Sequence, residues 1–211
     1  MSAGLHAQIR EGGEQLGLSL APAQLAQLAE LILLLGKWNG AYNLTAVRDP
    51  AQMVSRHLLD SLAVLPWLRT GSLLDVGTGA GLPGLPLAIA RPGQAFTLLD
   101  SNAKKIRFVR QAVAELGLQN VTAVHSRMQE YQPGHAFDMV ISRAVASLDQ
   151  LYRQSAQLLA PGGRMLFMKG ALPEDEITAF APGSEVLHSE RLLIPGLDDA
   201  QRHLLWLDKQ G

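Results

Sequence analysis

A glycine-rich stretch that follows a short apolar run is the feature that most limits what this chain can fold into. Residues 73–86 read LLDVGTGAGLPGLP, in which an apolar run containing Asp75 leads into Gly77, Gly79 and Gly81. Closely spaced glycines allow a tight turn and a close approach of the backbone to a ligand. A turn of this kind between a strand and a helix is typical of nucleotide-binding α/β domains.

Short apolar runs alternate with helical patterns from residue 73 onward. The predicted strands are residues 73–76, 96–100, 121–125, 137–142 and 163–169, and the predicted intervening helices are residues 102–117 and 147–163. Strands that alternate with helices form right-handed βαβ units, which predicts a mostly parallel, Rossmann-like sheet covered on both faces. Residues 184–195 and 202–209 are predicted as two long strands of an antiparallel hairpin at the sheet edge.

The first third of the chain shows helical patterns only. Residues 21–39 place Leu25, Leu28, Ile32 and Leu35 on one helix face, and residues 51–68 form a second helical pattern. We therefore predict an N-terminal helical extension over residues 1–70 and an α/β domain over residues 71–211. The two are expected to form one structural unit, because 211 residues suffice for a single core.

Composition excludes several classes of protein. With 47% hydrophobic and 18% charged residues, the chain can bury enough surface to fold throughout. The sequence has no cysteine, which excludes a disulfide framework, a thiolate metal site and a cysteine nucleophile. The first residues lack a signal-peptide core and no uninterrupted apolar run reaches membrane-spanning length, so a cytoplasmic protein without a membrane anchor is expected. The net charge of −1 means that any nucleic-acid binding must come from a local patch.

The residues of the glycine turn favour one class of nucleotide over others. A triphosphate loop is excluded because no Gly-Lys-Ser/Thr follows the glycines. A pyrophosphate needs free amide donors at the helix start, and Pro83 and Pro86 remove two of them. Asp75 is expected to meet a cationic amino group, and Asp100 at the end of the next strand is expected to bind ribose hydroxyls. These features favour S-adenosylmethionine, while an NAD-dependent oxidoreductase remains the weaker alternative.

Seven blocks of the sequence, in order, carry a closer resemblance. They are WNGAYNLTAVRDP (38–50), RHLLDSL (56–62), LLDVGTGAGLPGLPLAI (73–89), FTLLDSNAKKIRFVR (96–110), ISRAVASL (141–148), MKG (168–170) and PEDEI (173–177). Together they resemble the bacterial 16S ribosomal RNA guanine-N7 methyltransferases, also called the glucose-inhibited division protein B family. The resemblance runs from about residue 38 to residue 205. It implies a class I S-adenosylmethionine-dependent methyltransferase fold and a target guanine in the decoding-region loop of the small ribosomal subunit.

The resemblance also implies which residues form the cofactor pocket. Carried over, these are Gly77, Leu82, Met128, Gln129 and Arg143, with Asp100 holding the ribose as in class I methyltransferases generally. Asp75 and Gly79 of the glycine turn complete the predicted pocket. Relatives often have an acid where Gln129 stands, so a side-chain contact at that position is not implied.

Methylation at guanine N7 makes few chemical demands. The nitrogen has an in-plane lone pair and no proton, so the main requirements are in-line positioning and exclusion of water, without a general base. The fourth strand ends ISRAVAS, without the Asn/Asp-Pro-Pro-aromatic motif of amino-group methyltransferases. Carbonyls near Ser142 and Arg143 are expected to stabilise the cationic product, which makes these two the candidate catalytic residues. A strand-end arginine that simply pairs with an acid is the alternative for Arg143.

The RNA contacts are expected from the N-terminal segment and the end of the fifth strand. The candidates are Asn39, Tyr42, Asn43, Arg48, Arg56, His57 and Lys169. Tyr42 could stack on an extruded guanine, or the residues around it could merely satisfy a turn. His57 and Asp60 are expected to form a hydrogen-bonded pair and not a metal site, so no metal is predicted. The expected partner is 16S ribosomal RNA within the small subunit, and the expected state is a monomer. A small-molecule methyltransferase is the other alternative.

Overall fold

The computed structural model describes residues 2–143, 147–180 and 185–210, and within them one mixed sheet dominates the fold. The strands are β1 Leu73–Val76, β2 Phe96–Asp100, β3 Val121–His125, β4 Phe137–Arg143, β5 Leu159–Lys169, β6 His188–Arg191 and β7 His203–Asp208. Their order across the sheet is β3-β2-β1-β4-β5-β7-β6. The first five strands pair in parallel, and β7 pairs antiparallel with both β5 and β6. The predicted α/β fold with a C-terminal antiparallel hairpin is confirmed.

The helices lie before and between the strands. They are α1 Ser2–Gln15, α2 Pro22–Tyr42, α3 Pro50–Met53, α4 Asp60–Leu62, α5 Gly84–Ala90, α6 Ala103–Glu115, α7 Leu148–Ser155 and α8 Glu174–Ala179. No helix in the described part of the chain is both long enough and apolar enough to cross a membrane.

The two faces of the sheet belong to two hydrophobic clusters. Leu73 and Leu74 are neighbours in β1 and both are fully buried, but their side chains point to opposite faces. Leu73 belongs to a large cluster that also contains Leu28 and Ile32 of α2, so the helical extension and the sheet share this core. Leu74 belongs to a smaller cluster on the other face, with Leu151 of α7.

Polar contacts also attach α2 to the sheet layer. The Gln24 amide donates to the carbonyls of Ile89 and Ala90 at 3.0 and 3.1 Å, and the Gln27 amide donates to the carbonyl of Leu116 at 2.9 Å. These carbonyls lie at the C-terminal ends of α5 and α6, where a helix leaves its last acceptors unpaired. The extension thus satisfies the backbone of two helices of the α/β domain.

The C-terminal hairpin differs from its prediction in length and connection. Its first strand is only His188–Arg191, and residues 192–202 join it to β7 in place of a tight turn. Pro195 cannot donate to a strand ladder and Gly196 has φ 75°, so the chain leaves the sheet there. Residue 184 of the predicted strand lies outside the described residues.

Two predicted helices are also shorter than expected. The helix predicted over residues 147–163 ends at Ser155, and β5 starts at Leu159, because Pro161 and Gly162 break a helix and Gly162 donates to the Lys209 carbonyl at 3.0 Å. The helix predicted over residues 51–68 is divided into α3, a π-helix at Val54–Leu59, α4 and a 3₁₀ turn at Leu65–Trp67. Single π turns inside helices occur frequently at functional sites.

Candidate active site

The glycine turn lies where the strand order reverses, at the carboxyl ends of β1 and β4. Gly77, Gly79 and Gly81 have φ of 68°, 59° and 77°, a left-handed conformation that only glycine adopts readily. A Cβ atom at Gly81 would collide with the side chain of Leu85. A Cβ at Gly79 would meet only Lys105 Nζ at 3.9 Å and Gly77 O at 4.0 Å, so this side of the turn is open to a ligand.

The start of α5 offers no amide to a phosphate. The N–H groups of Leu82, Gly84, Leu85 and Leu87 donate to Thr78 O, Asp75 Oδ2, Gly81 O and Pro83 O at 2.9, 2.9, 2.7 and 3.2 Å. Pro83 and Pro86 have no N–H, so every donor of residues 82–87 is engaged within the protein. A dinucleotide would therefore lack the usual helix N-terminal partner for its pyrophosphate.

The structure places Asp75 differently from the expectation that it meets a ligand. Its side chain is fully buried, and Oδ2 accepts hydrogen bonds from Thr78 Oγ1 at 2.6 Å and Gly84 N at 2.9 Å. Burial raises the pKa of Asp75 to about 6, against the effect of these two hydrogen bonds. Asp75 therefore connects Thr78 and Gly84, at the two ends of the turn, from the interior of the protein, and it does not line the cavity.

Asp100 lies at the end of β2, as predicted for a ribose-binding acid. Its Oδ2 accepts from Gly79 N and its Oδ1 from Asn102 N, both at 2.8 Å. Each carboxylate oxygen has a second lone pair, so both can still accept from hydroxyl groups of a ligand. Asp100 also fixes the open glycine of the turn through the first of these contacts.

A cavity of about 540 Å³ opens beside the glycine turn. Its walls come from the glycine turn, the π-helix, the segment after α2, the ends of β4 and β5, and the hairpin connection. The lining residues are Leu44, Thr45, Val47, Arg56, His57, Asp60, Gly77, Thr78, Gly79, Ala80, Leu82, Lys105, Arg143, Met168, Lys169, Gly170, Leu192, Arg202 and His203. Five of them are arginine or lysine and only one, Asp60, is acidic. The cavity therefore carries a local group of basic residues, which nucleic-acid binding by a chain with a net charge of −1 would need.

Asp60 connects two of the cationic side chains. Its Oδ2 accepts from Arg143 Nη1 at 3.0 Å and its Oδ1 accepts from Arg202 Nε at 2.7 Å. The Asp60 side chain is 4% exposed, and the two arginine side chains are 24% and 25% exposed. The alternative interpretation of Arg143, pairing with an acid, is thus observed, and Arg143 lines the cavity as well.

His57 is neutral and part of a hydrogen-bonded chain. Its Nδ1 lies 2.9 Å from the carbonyl of Arg56, which can only accept, so Nδ1 carries the proton. Nε2 therefore accepts from Thr45 Oγ1 at 2.8 Å. Burial, followed by the charge of Arg143, lowers the pKa of His57 to about 4. His57 is thus not a cation that could bind phosphate near neutral pH, and the expected hydrogen-bonded pair with Asp60 does not form.

No group of three or more potential metal ligands occurs in the part of the chain that the structure describes.

The polar residues after α2 shape the segment that forms one cavity wall. Asn39 is 4% exposed; its amide donates to Val47 O at 3.0 Å and its oxygen accepts from Thr45 N at 2.9 Å. Asn43 ends α2 with φ 49°, and Tyr42 stacks on Trp38 with ring centroids 5.1 Å apart. These three residues do not line the cavity, so the turn interpretation describes their contacts.

The remaining predicted residues divide between the cavity and its surroundings. Arg56 and Lys169 line the cavity, and Lys169 Nζ pairs with Glu176 at 2.9 Å. Arg48 is exposed outside it. Ser142 is buried and donates from Oγ to Val76 O at 2.8 Å, so its side chain ties β4 to β1. Residues 144–146, which follow these candidate catalytic residues, lie outside the described part of the chain.

Met128 and Gln129, which the family resemblance placed in the cofactor pocket, lie outside the cavity. Met128 and Gln129 form a short 3₁₀ turn after β3; Met128 packs against the smaller hydrophobic cluster. Gln129 is exposed and lines a separate groove.

Sequence reasoning missed Thr45, Arg202 and His203 as parts of the site, and it gave Asp60 a different role. Arg202 lies 142 positions from Asp60, and only folding brings the two together. A signal was available for Arg202, since an arginine at the start of an otherwise apolar strand has no place in a core.

Comparisons with known proteins identify a family. The family model described as rRNA small subunit methyltransferase G matches residues 24–205. A ribosomal RNA small subunit methyltransferase G of Marinobacter nauticus is 52% identical over 94% of this chain and 92% of its own length. A protein of the same description from Alteromonas mediterranea is 47% identical over 98% of this chain and 97% of its own.

Solved structures support the fold. A SAM-dependent methyltransferase from Aquifex aeolicus aligns with a TM-score of 0.59 over 79% of this chain and 96% of its own, at 16% identity. The [4+2]-cyclase SpnF aligns with a TM-score of 0.60 over 91% of this chain and 98% of its own, also at 16% identity. Since one of these is a cyclase, the architecture alone does not determine the reaction.

Proposed function

This chain belongs to the rRNA small subunit methyltransferase G family, and we propose that it transfers a methyl group from S-adenosylmethionine to N7 of a guanine in the decoding-region loop of 16S ribosomal RNA. The observation that carries the proposal is the cavity beside the glycine turn. It combines a helix start whose amides are engaged within the protein with a lining that contains five arginine or lysine residues and one acid.

The residues of the turn fit the proposed cofactor. S-adenosylmethionine supplies an electrophilic methyl group on a sulfonium when it is bound. Gly77 and Gly79 allow the backbone to come close to it, and Leu82 offers an apolar contact in the same wall. Asp100 keeps lone pairs for ribose hydroxyls. Asp75 supports this arrangement indirectly, by fixing Thr78 and Gly84.

Two of the possible general bases that line the cavity are engaged within the protein, and an acceptor atom that has no proton to lose needs none. Among its lining residues in the described chain, His57 already accepts the Thr45 hydroxyl on Nε2, and Asp60 is held by two arginines. Guanine N7 needs only its lone pair in line with the methyl group. An exocyclic amine would in addition need a residue to receive a proton.

Two alternatives are less well supported. An NAD-dependent oxidoreductase would need a pyrophosphate site, and the amides at the start of α5 are all engaged. A small-molecule methyltransferase would not require five cationic side chains around the cavity, whereas RNA is a polyanion.

Further parts of the proposal concern the setting of the reaction. We propose that the substrate is the RNA within the small ribosomal subunit, because a chain with a net charge of −1 has little general affinity for naked RNA. A cytoplasmic, monomeric enzyme with residues 1–70 as an extension of the methyltransferase domain completes the proposal.

The test is methylation of small ribosomal subunits purified from a strain that lacks the modification. Incubation with methyl-labelled S-adenosylmethionine, followed by nuclease digestion and mass spectrometry, should yield 7-methylguanosine in one fragment of 16S rRNA. Naked 16S rRNA serves as the parallel substrate and should be labelled more slowly. Label on another atom or only on small metabolites would contradict the proposal, and so would saturable binding of NAD in place of S-adenosylhomocysteine.

A further inference from the structure

The Asp60 carboxylate joins three segments that are remote in sequence. Asp60 begins α4, directly after the π-helix, while Arg143 ends β4 and Arg202 directly precedes β7. Each carboxylate oxygen accepts from a different guanidinium, at 3.0 Å from Arg143 and 2.7 Å from Arg202. All three side chains line the cavity.

The charges of this cluster do not cancel. Two guanidiniums that are permanently charged face one carboxylate, so the cluster retains a positive charge. Without Asp60, two neighbouring cations would repel each other and turn toward solvent, since about a quarter of each arginine side chain is exposed. With Asp60 in place, each arginine is held by a charge-assisted hydrogen bond to a carboxylate that is itself 4% exposed and immobilised.

We propose that Asp60 is a positioning residue that holds Arg143 and Arg202 as a fixed pair of cations for the RNA acceptor. This inference rests on the proposed function. We assign the pair to the RNA because the cluster keeps a positive charge and RNA is a polyanion, whereas S-adenosylmethionine has a net positive charge. Arg143 can still contact the cofactor through its backbone.

The fold contains a matched cluster that serves as a control. Asp208, at the end of β7, accepts from Arg164 Nε at 2.8 Å and from Arg69 Nη2 at 2.6 Å. This second arginine–carboxylate–arginine cluster lies near the amino-terminal ends of the parallel strands, because Asp208 of β7 pairs with Arg164 of β5. The cavity lies at the carboxyl ends of the same strands. The second cluster contains the same three side-chain types, although the Asp208 carboxylate is 40% exposed against 4% for Asp60, and it lines no part of the cavity.

The experiment compares Asp60→Asn with Asp208→Asn in the full chain. For Asp60→Asn we expect the KM for small subunits to rise about tenfold or more, because the guanidiniums lose their fixed position. The Kd for S-adenosylhomocysteine, measured by calorimetry, should stay within about threefold of the wild-type value. For Asp208→Asn both constants should stay near the wild-type values, although both variants should lower the melting temperature.

A double-mutant cycle separates positioning from a purely structural role. If Asp60 acts through Arg202, the variant Asp60→Asn/Arg202→Gln should lose no more activity than the more impaired single variant. Asp60→Glu keeps the charge and should recover part of the KM effect. If Asp60→Asn does not fold, the KM of Asp60→Glu is the test in its place. Its longer side chain moves both guanidiniums, so a smaller rise in KM is expected.

The outcomes are distinct. If the wild type labels no RNA, the proposed function and this inference both fall. If the wild type labels guanine N7 and Asp60→Asn and Asp60→Glu keep the wild-type KM for small subunits, only the inference is overturned. An equal KM effect in Asp60→Asn and Asp208→Asn, or fully additive losses in the cycle, would also overturn it.

Discussion

At the scale of single residues, two buried ionisable groups near the site have opposite pKa shifts. Burial raises the pKa of Asp75 to about 6 and lowers the pKa of His57 to about 4. Burial disfavours the charged form of either group, which is the protonated form for His57 and the deprotonated form for Asp75. In each group burial outweighs the hydrogen bonds of the fold, which shift the pKa in the opposite direction.

These shifts predict opposite contributions to stability in the same pH window. Unfolded His57 binds a proton below its usual pKa of 6.5 and folded His57 does not until about pH 4, so its contribution falls as the pH drops from 6.5 to 4. Folded Asp75 binds a proton below about pH 6 and unfolded Asp75 only below 3.8, so its contribution rises as the pH drops from 6 to 3.8. Each slope is at most about 1.4 kcal/mol per pH unit, and the two largely cancel in the wild type.

Urea unfolding of two variants between pH 6.5 and 4.5 checks this prediction. Relative to the wild type, His57→Gln should gain stability as the pH falls and Asp75→Asn should lose it. Other carboxylates titrate in all three proteins and cancel in the comparison. Parallel pH profiles for both variants and the wild type would refute the opposite shifts.

At the scale of elements, the glycine turn shows which backbone features a site requires. Gly79 and Gly117 both have a left-handed conformation, with φ of 59° and 65°. No atom lies within 4 Å of a Cβ built at Gly117, and the Cβ at Gly79 would meet only atoms at 3.9 Å or beyond. The two positions differ in that Gly79 lines the cavity and Gly117 follows α6.

Alanine substitutions at these two glycines should therefore have equal effects on stability and different effects on binding. Each should destabilise the fold by roughly 1–2 kcal/mol, the strain of a left-handed alanine. Gly79→Ala should in addition weaken S-adenosylhomocysteine about tenfold or more, because its methyl group fills the space beside the cofactor. Calorimetry and urea unfolding measure the two effects, and equal affinities in the two variants would show that the ligand does not approach Gly79.

At the scale of the whole molecule, the extension and the α/β domain share one hydrophobic cluster. Trp38 of α2 packs edge-on against Phe108 of α6 with ring centroids 5.7 Å apart, so it reports on this interface. Trp67 and Trp206, with centroids 6.1 Å apart, report on the region of β7. A shared core predicts that both parts unfold together.

Tryptophan fluorescence tests this cooperativity. One variant keeps only Trp38, through Trp67→Phe and Trp206→Phe, and the other carries Trp38→Phe. In each, the urea midpoint by fluorescence should coincide with the midpoint by circular dichroism. A Trp38 transition at clearly lower urea than the loss of helix and strand signal would mean that the extension unfolds as a separate domain.

The sequence by itself determined the first three strands and the chemistry of the helix start after the glycine turn. Its patterns placed β1, β2 and β3 at their observed bounds, because β1 and β2 are largely apolar, buried parallel strands and all three strands are followed by glycine or serine. Pro83 and Pro86 indicated that the start of α5 lacks free amides for a phosphate, because proline itself has no N–H.

Only the tertiary structure decided what each polar side chain contacts. The sequence could not show that Asp75 points into the protein while Asp60 holds Arg143 and Arg202, nor that the Thr45 hydroxyl meets Nε2 of His57. Strand and helix patterns arise from neighbours within a few positions, whereas these contacts join segments as far as 142 positions apart. The partners of these side chains come together only when the strands assemble in their order and distant segments meet at the carboxyl ends of the sheet.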